Sequence, residues 1–147
     1  MDITYFEIIG SLRKHIEEVT GVKTIWRYYG YIKPEEESYV EIEYVNSNLT
    51  EVTKTKELID EDVFLNIGVH GGGLTQLSRN HKAIMPILQY GSIPLYNDSF
   101  KQIGTFSIES INGVSNIMTG THSESLTDTH RLYIDVAIPI AHVKMKL

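Results

Sequence analysis

The sequence predicts an α+β domain: a mixed, mostly antiparallel sheet with two helices packed on one face. Three observations predict it. Residues 130–143 read H-R-L-Y-I-D-V-A-I-P-I-A-H-V, with Leu132, Ile134, Val136, Ile138 and Ile140 at every second position. Strict period 2 marks a strand with one buried face. Two other segments carry large apolar residues at helical spacing, one near the start and one after Gly71-Gly72-Gly73. The stretches between them alternate apolar with polar residues, as strands of a sheet wetted on one side do.

Taken in order, Thr4-Tyr5-Phe6-Glu7 has capping-box spacing. Ile8, Leu12, Ile16 and Val19 follow on one face, and Thr20-Gly21 supplies a stop, so a helix is expected over about 5–20. Lys23 to Ile32 is rich in Ile, Trp and Tyr and reads as a strand, ended by the solvated loop Lys33-Pro34-Glu35-Glu36-Glu37. In Tyr39 to Val45, Val40, Ile42 and Tyr44 share a face and Glu41 and Glu43 the other, which is expected to be wetted or to face an acidic channel. Asn46 to Lys56 reads as a turn or hairpin end. Ile59 to His70 alternates again and is a third strand.

Leu74, Leu77, His81, Ile84, Met85 and Leu88 then keep helical spacing up to Gly91. Pro86 lacks an N–H and crowds the preceding turn, so a kink or break is expected there. Ile93-Pro94-Leu95-Tyr96 leads back to the sheet, and Ile103 to Ile108 is a further strand. Residues 109–129 are dominated by Ser, Thr, Asn and Gly and read as one long polar loop. The final strand closes the chain, with Pro139 pointing to an edge position at its far end.

Length and composition narrow the class. A chain of 147 residues suits a single domain over 1–147, and 41% apolar with 22% charged residues is ordinary globular composition. The net charge of −6 argues against a dedicated nucleic-acid binder, which needs clustered Lys and Arg. No cysteine is present, which excludes disulfides and thiolate metal sites. The first ten residues lack a basic start and an apolar core, and no run reaches the roughly 20 apolar residues of a membrane helix. A protein that is soluble and intracellular when made is expected.

No catalytic motif stands out. The Gly71-Gly72-Gly73 turn between strand and helix could bind an anion at the helix start. Leu74-Thr75-Gln76 follows where a phosphate loop needs Lys-Ser/Thr, so the glycines read as a tight turn or close backbone contact. Six histidines occur without metal-ligand spacing, and only His122, Asp128 and His130 lie near one another. His81 reads as a hydrogen-bonded core or interface histidine. Ser123, Ser125, Asp128 and His130 could sketch a triad, but no G-x-S-x-G elbow accompanies them and a solvated loop is the simpler reading. No catalytic, cofactor or metal residue is assigned.

These elements together resemble the tail terminator (tail-completion, or tail-to-head joining) proteins of long-tailed bacteriophages. The resemblance covers nearly the whole chain and rests on pattern. Its parts are the N-terminal amphipathic helix, the strand Tyr39-Val40-Glu41-Ile42-Glu43-Tyr44 after a Pro-containing loop, and a charged hairpin. The strand Val63 to Val69, the helix ending in Ile93-Pro94-Leu95-Tyr96, a strand near Phe106 and the final His130 to Val136 complete it. The resemblance implies a non-enzymatic structural virion protein, made in the host cytoplasm and placed in the tail or neck. It implies a homo-oligomeric ring, typically a hexamer, that caps the tail tube protein and docks the head connector (stopper). DNA would pass through the channel without specific binding, and no cofactor or membrane is involved. Another neck or head-completion connector, or a small ligand-binding domain or enzyme using the Gly71–Gly73 turn, are the alternatives.

The polar stretch supplies the assembly-contact candidates Val114, Ile117, Met118, His122, Glu124, Leu126 and Asp128. Ordering Ile111 to Thr129 costs about 1–2 kcal/mol per residue in backbone entropy, and its few apolar side chains return only about 1.5–3 kcal/mol each. Contacts from neighbours are expected to supply the balance.

Overall fold

A computed structural model describes residues 3–28, 30–32, 34–51, 58–115 and 131–143. Helix α1 (Tyr5–Thr20) begins at the expected capping box: the Thr4 N–H donates to Glu7 Oε2 at 2.8 Å and the Phe6 N–H to Thr4 Oγ1 at 3.2 Å. It ends at Gly21, whose φ of 72° is the left-handed cap that glycine tolerates. Strands β1 (Thr24–Arg27), β2 (Tyr39–Glu51) and β3 (Leu58–His70) follow, then α2 (Leu74–Tyr90). Strands β4 (Ile93–Tyr96), β5 (Gln102–Phe106), β6 (Ser110–Ser115) and β7 (Arg131–Val143) complete the chain.

Five strands form one sheet in the order β1-β2-β3-β7-β6, antiparallel except for β1 beside β2. This is an α+β fold with a mixed, mostly antiparallel sheet. Both helices lie on one face, α1 over the β1 side and α2 over β3 and β7. Beneath them Val40, Ile42, Val63, Leu65, Ile67, Val69, Ile134, Val136 and Ile138 meet Ile8, Leu12, Ile16, Ile84 and Leu88 in one contiguous apolar cluster. The even-numbered face of β7 is buried there, as its spacing predicts.

Several expectations are corrected. Of the two readings of Asn46 to Lys56, the described part is not a turn: Asn46–Glu51 is the outer half of β2, the end of a long hairpin with β3. A bulge at Val45 puts Tyr44 opposite Leu65 and Asn46 opposite Phe64, which breaks the alternation that sequence reading follows. Strand β1 stops at Arg27 rather than running to Ile32. Gly30 takes φ 86° beyond it and the Tyr31 N–H bonds the Tyr28 carbonyl, so the chain turns. Helix α2 runs through Pro86 without a break. Pro86 lies on the exposed side, where the carbonyl it orphans can take water instead. β4 and β5 do not rejoin the main sheet but pair as a separate hairpin.

Within the stretch read as loop, Ser110–Ser115 forms β6 against β7. The rest of that stretch lies outside the described residues. Pro139 is paired to Asp62 of β3, while β6 reaches only as far as Ala137, so among the described residues β7 is an edge at its far end. No described helix is long and apolar enough to cross a membrane.

Candidate functional site

The face of the sheet opposite the helices is not the wetted face expected from Glu41 and Glu43. Parallel neighbours need a crossover connection, and the one between β1 and β2 brings Tyr31 to this face. The Tyr31 hydroxyl comes within 3.5 Å of Glu41 Oε2. Glu41 is only 2% exposed, and its Oε1 accepts from Arg27 Nη1 at 3.0 Å. His70 Nε2 lies 3.0 Å from the same oxygen, and its ring stacks on Tyr39 with centroids 4.3 Å apart. A buried carboxylate needs such partners, because desolvating it alone is very costly. Farther along, Asn66 Nδ2 donates to Asp135 Oδ1 at 2.9 Å. Tyr133, opposite Gly68 on the face away from the helices, is buried as well. A Cβ on Gly68 would sit 2.9 Å from Glu41 Cγ and 3.2 Å from Tyr133 Cε1, so only glycine fits between them. This cluster is a buried polar layer, and Tyr31 at its outer end also lines a cleft at the β1 edge.

The glycine turn behaves as a packing device. A Cβ on Gly71 would collide with the Leu77 backbone, so the strand can enter α2 this closely only without a side chain. A Cβ on Gly72 would sit 2.7 Å from Glu37 Oε2. A carboxylate beside the turn opposes an anion there, and no side chain caps α2. His81 on α2 is half-buried, with Nε2 enclosed and without a hydrogen-bond partner among the described residues. Among those residues no three His, Asp or Glu side chains gather closely enough for a metal ion.

An open cleft of about 840 Å³ lies around the β1 edge, between α1, the residues Tyr28, Tyr31 and Ile32, and the β4–β5 turn. Phe6, Trp26, Tyr28, Tyr31, Ile32, Tyr96 and Phe100 line it. Ile32 is 90% exposed and Phe100 82%. Phe100 also takes a left-handed φ of 61°, rare for an aromatic residue. Asn97 holds that turn: its Oδ1 accepts from the Ser99 and Lys101 N–H groups, and its carbonyl from Phe100 N–H. The turn therefore spends backbone strain to hold an aromatic ring in water.

Of the sequence candidates for assembly, the structure places Val114 on β6, opposite Ile134 and half exposed. Ile117, Met118, His122, Glu124, Leu126 and Asp128 lie outside the described residues, as do Ser123, Ser125 and His130. The cleft itself was missed. Its available signal was the Tyr28-Tyr29-Gly30-Tyr31 run, where a glycine among aromatics marks a turn with rings to display.

No known protein-family model matches the chain, and no curated protein does. Among solved structures, a chain of the virion of a native gene transfer agent particle is similar at 10% identity and TM-score 0.49. The match covers 92% of this chain and 93% of that chain. Nothing functional follows from a likeness that loose.

Proposed function

We propose that this chain is a structural virion protein that caps a phage tail tube as a homo-oligomeric ring and joins it to the head connector, without catalysis. The observation that carries the reading is the patch of exposed apolar side chains, three aromatics and an isoleucine, at the β1 edge. Phe6, Tyr28, Ile32 and Phe100 are each more than half exposed around one cleft. Large rimmed apolar patches mark interaction sites. The lining lacks histidine, and its one serine, Ser11, has its hydroxyl accepting from the Tyr96 N–H. The sequence pattern's resemblance to tail terminators supplies the kind of assembly.

In this reading the chain acts as one domain, six copies form the ring, and the polar stretch after β6 adds contacts to neighbours or to the tail tube. The glycine-turn enzyme reading is disfavoured by Glu37 beside Gly72. Negative-stain imaging and native mass measurement test the proposal: closed rings are expected. Deleting 116–125 is expected to leave the fold intact and abolish stable rings and tail capping. A monomer that binds nucleotide, or a deletion variant that still terminates tails, would overturn the corresponding part.

A further inference from the structure

Closed rings need two different, complementary faces on each copy. The geometry points to the β1-edge cleft of one copy receiving the outer face of α2 from the next; this pairing rests on the ring reading above. The two faces lie at opposite ends of the helical layer, since α1 covers the β1 side of the sheet and α2 covers β3 and β7. That placement suits head-to-tail closure.

Charge selects the occupant. The cleft is lined by the acidic Glu7, Glu17, Glu18 and Asp98 against the basic Arg13 and Lys14, a balance of −2. Lys14 and Glu18 already pair at 3.9 Å, and Lys14 also lies 4.0 Å from the Tyr96 ring centroid; setting that pair aside leaves Glu7, Glu17 and Asp98 against Arg13, still a balance of −2. Helix α2 contains no Asp or Glu, and its solvent side presents Arg79 and Lys82, a balance of +2. Its two ends carry large apolar residues in water, Leu74 at 72% and Tyr90 at 84% exposed. One face thus offers aromatics with an acidic rim. The other offers apolar anchors around two cations, and opposed potentials of this kind set partner choice and register.

Charge reversal tests the pairing. One variant carries Arg79→Glu with Lys82→Glu, the other Glu18→Lys with Asp98→Lys; all four residues are exposed. Each alone is expected to need at least about tenfold more protein to assemble, because like charges then face each other. Mixed in equal amounts, the two are expected to regain rings, since each altered face meets its complement. Circular dichroism and melting curves check that each variant is folded. Phe100→Gly supplies a test that misfolding cannot mimic. It removes the left-handed strain, so the monomer should melt no lower while assembly weakens. A wild-type chain that stays monomeric at all concentrations sinks the ring reading itself. Wild-type rings with unaffected variants, or weakened variants that mixing does not rescue, sink only this pairing. Rings lost instead on contact with tail tube protein would assign the cleft to that partner and overturn it as well.

Discussion

Glu7 shows how one residue carries a readable signal. Burial pushes its carboxyl upward, but hydrogen bonds from the Thr4 N–H, its own N–H and the Thr4 hydroxyl outweigh that and hold it below the ordinary 4.5. A depressed folded value stabilises the fold above the unfolded value and is lost as pH falls through the folded one. Glu7→Ala is therefore expected to cost about 0.5–1 kcal/mol at pH 7, small because the site is half wet. The gap from wild type in denaturant titrations should close as pH falls below the ordinary carboxylate range and through the lowered folded value. Tyr133 shows the opposite case. Its place in the alternation put it on the face away from the helices, yet it is 2% exposed, set edge-on to the His70 ring and close beside Gly68 and Glu41. Ile134→Ala should cost about 2–5 kcal/mol. Tyr133→Ala should cost a comparable amount, about 3–5 kcal/mol. A loss below about 1 kcal/mol at Tyr133 would mean that this face opens in solution.

Elements were legible where their period ran unbroken and illegible where a bulge shifted it. α1, β3 and β7 keep one period from end to end and were read nearly to their limits. In β6 the bulge at Asn112 lets Ile111 face Val136 and Val114 face Ile134, three residues apart on the same side. Period 2 cannot show such a strand. In β2 the bulge at Val45 does the same, and the strand beyond it loses its second neighbour. β1 pairs only Val40 to Glu43, so among the described residues Asn46–Glu51 is an edge paired to β3 alone. Val45 and Leu49 there are more than half exposed. Local stability follows burial and pairing. Amides of 46–51 are thus expected to exchange hydrogen much faster than those of 40–44 in the free chain. Equal protection along all of β2 in a dilute monomer would mean that its outer half is already covered.

For the whole molecule, charge bears on what may pass through the proposed ring. The chain carries 19 acidic and 13 basic residues. Where β2 and β3 leave the helical cover, Glu51, Asp60, Glu61 and Asp62 all sit on the strands. The basic pair on α2, Arg79 and Lys82, is turned in this assembly toward the neighbouring copy and not toward a channel. Duplex affinity grows with the number of phosphates neutralised, with log K falling by about 0.9 per contact for each decade of salt. A channel wall with few free cations has little to exchange for counterions and lets the duplex slide. Linear duplex DNA should therefore run unretarded with the assembled protein near 0.15 M salt, at protein concentrations up to tens of micromolar. Retardation that weakens steeply with salt would place a set of Lys and Arg on the channel wall, and the ring would then hold DNA and not merely surround it.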